Sequence, residues 1–218
     1  MSAPQQPRLA VLISGRGSNL QAFIDACANG ELPAQISLVI SNNPDATGLQ
    51  RAERAGIAAK CINHRNFATR EAFDAALVHE LRAHAVELVI LAGFMRILTP
   101  VLIEPYLGRL LNIHPSLLPK YTGLNTHQRA IDAGDEFAGV TVHFVTPELD
   151  GGPSILQAKV AIESEETVES LAQKVLQKEH VIYPLAAQWF LEGKLKLQDN
   201  HVLLEEKVLP TTGLLHQE

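Results

Sequence analysis

Short apolar runs recur along this chain and set what it can fold into. Leu9-Ala10-Val11-Leu12-Ile13 offers no polar side chain to water, as in a strand covered on both faces. Ile36 to Ile40, Leu88 to Leu91 and Arg109 to Ile113 read as further buried strands, and Lys60 to Ile62 as a shorter one. Between them lie stretches with helical spacing. These are Leu20 to Ala28, Ala46 to Ala55 with Gly56 as its stop, and Thr69 to Ala85 with Phe73, Ala76, Leu77 and Leu81 on one face. Strands that alternate with helices of about 10–15 residues pair in parallel through right-handed crossovers. The expected class is therefore α/β, a mainly parallel central sheet with helices on both faces.

The pattern changes after Pro119. A loop (Lys120 to Asn125) and a short helix (Thr126 to Ala133) lead to an alternating stretch, Gly139 to Val145. A second strand, Ser154 to Val160, follows a turn-rich connection. The pair reads as a long-looped hairpin, a late antiparallel extension of the parallel core. Ser164 is placed to cap a long helix with Val168, Leu171, Val175, Leu176, Ile182 and Trp189 as its stripe, and Pro184 is expected to kink it. Lys194 to Pro210 reads as a small hairpin or irregular cover.

Composition excludes several classes. The chain has 218 residues, 46% hydrophobic and 19% charged, with no internal repeat or linker, and one domain is expected over 1–218. A net charge of −6 gives no footprint for nucleic acid or an anionic membrane. The longest apolar run, Leu88 to Met95, falls short of the ~20 residues that span a bilayer. Cys27 and Cys61 alone make neither a disulfide framework nor a zinc site. Met1 to Pro7 has no leader pattern, so a cytoplasmic protein is expected. The nine histidines show no metal-ligand spacing, and no metal is expected. No G-x-S-x-G elbow is present.

Four places can carry chemistry. In Leu110-Leu111-Asn112-Ile113-His114-Pro115, strand periodicity puts Asn112 and His114 on one face, and Pro115 ends the strand. The pair is either structurally satisfied or a carboxamide donor beside a proton carrier, which an amine attacking an acyl carbon needs. Gly15-Arg16-Gly17-Ser18-Asn19 follows the first strand, where α/β sheets bind ligands. It is either a tight turn with a Ser or Asn cap or a cradle for a monophosphate. A dinucleotide fits poorly, since Leu20 replaces the third glycine and Ser41 and Asn42 end the second strand without an acid. Asp150-Gly151-Gly152 is either a plain turn or a carboxylate set beside His114. Glu179 lies by an apolar helix face, where it either reaches water or meets a ligand hydroxyl or amine.

Taken together, these pieces resemble the folate-dependent formyltransferases. The resemblance rests on V-L-I-S-G-R-G-S-N-L-Q-A (Val11 to Ala22), L-A-G-F-M-R-I-L (Leu91 to Leu98) and L-L-N-I-H-P-S-L-L-P-K-Y (Leu110 to Tyr121). It continues in V-H-F-V-T-P-E-L-D-G-G-P (Val142 to Pro153) and Q-K-E-H-x-I-Y-P (Gln177 to Pro184). The G-S-N loop and the length are similar to the purine-synthesis branch. Other branches would add an N- or C-terminal domain.

The resemblance implies a Rossmann-like formyltransferase fold, with a ligand-phosphate half at about 8–110 and a catalytic half at about 111–218. It implies transfer of the formyl group of 10-formyltetrahydrofolate to the amine of glycinamide ribonucleotide, with no covalent enzyme intermediate. Asn112 would donate to the oxyanion, His114 would assist, and Asp150 would hold His114 and relay the proton. Gly17, Ser18 and Asn19 would cradle the phosphate, and Glu179 would contact the ribonucleotide. Arg70, Met95, Arg96, Ile97 and Leu98, with Asn112, would line the folate pocket. The partners would be these two small molecules, for a monomer or homodimer. Competing readings are a 10-formyltetrahydrofolate hydrolase and a non-catalytic nucleotide-binding module. Two positions depart from the family pattern: Thr122 stands where proline is common, and Asn125 where histidine often stands.

Overall fold

A computed structural model describes residues 6–217, so most of the segment Met1 to Pro7 lies outside the described residues. The chain clusters into two compact units, one up to Leu111 and one from Asn112.

In the first unit the strands are β1 (Arg8–Ile13), β2 (Gln35–Ser41), β3 (Ala59–Cys61) and β4 (Leu88–Leu91), ordered β4-β1-β2-β3. Their pairings β1–β2, β1–β4 and β2–β3 are all parallel. Leu9 to Ile13 are fully buried, which is why that run carries no polar residue. The helices are α1 (Ser18–Ala28), α2 (Gly48–Arg54), α3 (Arg70–Ala83) and α4 (Pro100–Ile103). Helix α1 starts two residues before the expected Leu20. The short α4 has no long apolar stripe, so periodicity alone did not reveal it.

The second unit takes over inside β5 (Leu110–His114). It adds α5 (Thr126–Asp132), β6 (Phe137–Phe144), β7 (Ser154–Ala161) and α6 (Val168–Leu191). Here the strand order is β11-β7-β6-β5, where β11 is Leu214–Leu215. Strands β6 and β7 are antiparallel, as the hairpin pattern implied, and β11 lies parallel to β7. The tail forms a separate antiparallel sheet of β8 (Leu195–Gln198), β9 (His201–Leu204) and β10 (Lys207–Val208). The sheet is thus mixed and mainly parallel, in the expected α/β class.

Ser164 is not the cap of α6. Thr167 is: its hydroxyl accepts from Ser170 N, and Ser170 Oγ accepts from Thr167 N, both at 3.1 Å. This reciprocal box satisfies two amides and fixes the start three residues later. The helix runs through Pro184 to Leu191. Its buried face is Leu171, Val175, Glu179, Ile182, Tyr183, Ala186 and Ala187, while Val168, Leu176 and Trp189 stay half-buried. Ala186 and Ala187, outside the expected stripe of large apolar residues, are fully buried.

One buried polar knot holds the loop that follows β5. Thr141 Oγ1 donates to Ser116 O at 2.7 Å and accepts from Leu118 N at 3.0 Å and Gln157 Nε2 at 2.9 Å. Gln157 Nε2 also donates to Leu118 O at 2.8 Å. Thr141 is fully buried, so water cannot replace these partners. Thr141→Val keeps the shape and strands the Leu118 amide. A loss of about 1–3 kcal/mol is expected in urea unfolding. A wild-type midpoint with an unchanged slope would show that the knot holds nothing.

Candidate functional site

Each unit carries its own polar group of residues. In the first, the chain leaves β1 at Ile13 and enters α1 through Gly17. Gly17 is the N-cap, left-handed at φ 70°, and no side chain caps the helix. The Ser or Asn cap expected of a plain turn is therefore not what ends this loop. A Cβ on Gly17 would come to 3.0 Å from the Gly48 Cα, and Gly48 N donates to Gly15 O at 3.0 Å. Arg51 braces the loop from outside: Nε donates to Arg16 O at 2.8 Å and Nη1 to Gln21 Oε1 at 3.1 Å. Asn19 is buried and Ser18 half-buried. Helix-start amides without a side-chain cap suit an anion.

Of Ser41 and Asn42, which stand where a dinucleotide site would have an acid, Asn42 holds the residue after β1 and Ser41 the turn at Asn43. Asn42 Oδ1 accepts from Ser14 Oγ at 2.6 Å. Ser41 Oγ accepts from Asn43 N at 3.0 Å and donates to Asn43 O at 2.8 Å.

Residues 95–98 form a loop fastened at both ends. Met95 N donates to Ser14 Oγ at 2.7 Å. At the other end Thr99 N and Oγ1 donate to Asp74 Oδ2 at 2.6 and 2.7 Å. Burial raises the Asp74 pKa, and the two bonds from Thr99 oppose that rise. Between the posts Met95 and Ile97 are 69% and 55% exposed. Arg96 Nε is buried without a hydrogen-bond partner among the described residues, a donor suited to a ligand. Leu98 is half-buried in the same loop. Arg70 is the exposed first residue of α3, behind the Thr69 cap.

In the second unit Asn112 and His114 occupy alternate positions of β5, with Ile113 buried between them. Asn112 Nδ2 lies 3.1 Å from His143 Nε2. His143 Nδ1 lies 2.9 Å from Phe144 O, a group that can only accept. That assigns the proton to Nδ1 and leaves Nε2 to accept from Asn112. One amide hydrogen of Asn112 is thus held, and the other has a defined direction. His143 was not singled out from sequence, because its partner lies 31 positions away. A register shift in the β6–β7 pairing falls at Val142/His143, the kind of irregularity that re-aims a side chain.

His114 sits between two acceptors. Its Nε2 donates to Tyr121 O at 2.8 Å, and its Nδ1 is 3.5 Å from Asp150 Oδ2. The second distance is ion-pair reach rather than a good hydrogen bond. Both side chains are about nine-tenths buried. The same Asp150 oxygen accepts from Gly123 N at 2.9 Å, which ties the Tyr121–Gly123 turn to the 150 loop. The D-G-G sequence is more than a turn pair. A Cβ on Gly152 would lie 1.8 Å from Phe144 O, so only glycine lets this backbone approach β6.

Tyr121, at φ 57°, is anchored by its hydroxyl to Asp135 at 2.8 Å and by cations over its ring, Arg129 at 4.9 Å and Lys120 at 5.3 Å. Arg129 Nη1 also donates to Thr122 O at 2.7 Å, which steadies the turn where Thr122 replaces proline. Asn125 is left-handed at φ 57°, a conformation asparagine tolerates better than most residues. Glu179 is buried on α6. His127 Nδ1 is buried without a hydrogen-bond partner among the described residues. The structure thus brings Asn112, His114 and Asp150 into one cluster, and joins Met95 to the end of β1 through Ser14.

Among the described residues no helix is long and apolar enough to cross a membrane. The formyl transferase family matches residues 7–187. Phosphoribosylglycinamide formyltransferase of Escherichia coli is 50% identical over 210 residues, covering 96% of this chain and 99% of that protein. A solved phosphoribosylglycinamide formyltransferase of Coxiella burnetii aligns with a TM-score of 0.93 at 45% identity, covering 98% and 100% of the two chains. The glycinamide ribonucleotide transformylase 1 of Symbiobacterium toebii aligns at 0.89 and 46%, covering 91% and 94%.

Burial lowers the His143 pKa from its ordinary 6.5, with the bond to Phe144 O and the Asp150 charge opposing and His114 adding to the fall. Burial, then His114, lowers His127. At these two sites the unfolded chain therefore binds more protons than the folded one below about pH 6.5, so their contribution to stability falls as pH drops from there. The expected result is a thermal midpoint that declines between about pH 6.5 and 5, with a shallower decline in His143→Gln. Equal slopes in the two proteins would mean that His143 takes up its proton without loss of structure.

Proposed function

Because the chain belongs to the formyl transferase family, we propose that it transfers the formyl group of 10-formyltetrahydrofolate to the amine of glycinamide ribonucleotide. The products are formylglycinamide ribonucleotide and tetrahydrofolate. The chain acts as one formyltransferase domain in the cytoplasm, as a monomer or homodimer. The observation that carries this reading is the buried cluster in which His143 orients the Asn112 carboxamide and His114 faces Asp150 at 3.5 Å.

The amine nitrogen attacks the formyl carbon, and the carbonyl electrons move onto oxygen. Asn112 donates its second amide hydrogen to that oxyanion. A donor aimed before the reaction begins spends nothing on reorientation, which is why the His143 contact matters. His114 assists the oxyanion, and Asp150 holds His114 and helps carry the proton from the attacking nitrogen to the folate nitrogen. The tetrahedral adduct then collapses, the carbon–folate nitrogen bond breaks, and tetrahydrofolate leaves. No side chain needs to form a bond to carbon, because the amine is itself a competent nucleophile once positioned.

Binding is assigned as follows. Gly17, Ser18 and Asn19 take the substrate phosphate at the start of α1, and the uncapped amides support this. Glu179 contacts the ribonucleotide. Arg70 and Met95, Arg96, Ile97 and Leu98, with Asn112, contact the folate, which the buried, unmatched Arg96 Nε supports. An apolar loop with a backbone edge suits a flat heterocycle.

The test is tetrahydrofolate release from 10-formyltetrahydrofolate, with and without glycinamide ribonucleotide. Release that requires the amine is expected. Release without it would indicate hydrolysis, and none under either condition a binding module. Asn112→Ala should lower kcat by ~10²–10³. A fall of less than about tenfold in a folded variant removes Asn112 from the oxyanion role.

A further inference from the structure

The two ligand loops of the first unit meet at one hydroxyl. Ser14 is the residue between the last residue of β1 and Gly15, and it is half-buried. Its Oγ donates to Asn42 Oδ1 at 2.6 Å and accepts from Met95 N at 2.7 Å. Its carbonyl accepts from Asn43 Nδ2 at 3.4 Å. A serine hydroxyl has one hydrogen, and Asn42 takes it, so a lone pair is left to receive the Met95 amide. Asn42 is held in turn by His64, whose Nδ1 donates to the Asn42 carbonyl at 3.0 Å. Met95 opens a loop whose far end is fixed by the buried Asp74 carboxylate at Thr99. Between those posts the loop exposes Met95 and Ile97. One post belongs to α3, and the other hangs on the residue that leads into the Gly15–Asn19 turn.

We propose that Ser14 is a positioning residue that couples the two loops, so that occupancy of the Gly15–Asn19 turn orders residues 95–98 and the two substrates bind cooperatively. This rests on the assignment of the phosphate to Gly17–Asn19 and of the folate to residues 95–98. An anion on the α1 amides fixes the backbone from Gly15 onward. The adjacent Ser14 loses freedom, and so does the Met95 amide bound to it. Ordering cost met by the first ligand is then not charged to the second. The coupling is reciprocal by linkage.

Tetrahydrofolate and glycinamide ribonucleotide cannot react with each other, so both can be bound at once at equilibrium. The experiment measures the Kd of tetrahydrofolate by calorimetry, alone and with saturating glycinamide ribonucleotide. Amide hydrogen exchange is followed with glycinamide ribonucleotide alone. In the wild type, tetrahydrofolate should bind at least about fivefold tighter in the presence of the ribonucleotide. Exchange should slow both at residues 15–21 and at 94–98. In Ser14→Ala the slowing at 15–21 should persist, the slowing at 94–98 should vanish, and the enhancement should fall below about twofold. Should Ser14→Ala fail to fold, Ser14→Cys keeps the volume and supplies only a weak acceptor.

Slowing at 94–98 that survives in the variant would overturn the proposal, as would a wild type in which the two ligands bind independently. Failure of the underlying assignment looks different. In that case the ribonucleotide leaves residues 15–21 unprotected in the wild type as well.

Discussion

A carboxamide and an imidazole stand side by side in β5, flanked by apolar Leu111 and Ile113. Polar groups kept from water must find partners in the protein or destabilise it by several kcal/mol. Each partner here comes from a different segment. His143 of β6 receives Asn112, the Tyr121 carbonyl receives His114, and Asp150 arrives from the loop before β7. Those segments are pinned by further groups: Thr141 and Gln157 hold the loop after β5, Asp135 and Arg129 hold Tyr121, and Gly152 lets the 150 loop close on β6.

The two groups of polar residues solve opposite problems. In the second unit the side chains are buried and partnered, so their directions are set in advance. That suits stabilisation of a charge that appears only during reaction. In the first unit a glycine turn and an exposed loop are braced by Arg51, Ser14 and Asp74. Burial also sorts the histidines. His143 is kept neutral by desolvation and so can accept from Asn112, whereas an imidazolium at that position would repel the same amide hydrogen.

Much of the architecture was legible because its signals are local. Continuous apolar runs marked β1 and β4, alternation marked β6, and the change of pattern after Pro119 marked the antiparallel pair. What escaped had no local signal. Helix α4 is a single turn. The start of α6 depended on whether Ser164 or Thr167 found a reciprocal partner, and both are plausible caps by composition. The buried face of α6 includes Ala186 and Ala187, which a stripe of large apolar residues does not mark, while Leu176 and Trp189 stay half-buried.

The sequence by itself determined the α/β alternation, the face shared by Asn112 and His114, and the glycine turn after the first strand. Period and chirality act over a few residues and need nothing distant. Only the tertiary structure decided which partners those side chains meet. His143 lies 31 positions beyond Asn112, and the hydroxyl of Ser14 receives an amide 81 positions away. Such pairs depend on strand order, on the shift at Val142/His143 and on the close approach at Gly152. None of these is set by neighbours in the chain, because hydrogen-bond geometry is fixed to tenths of an ångström only once the sheet has paired.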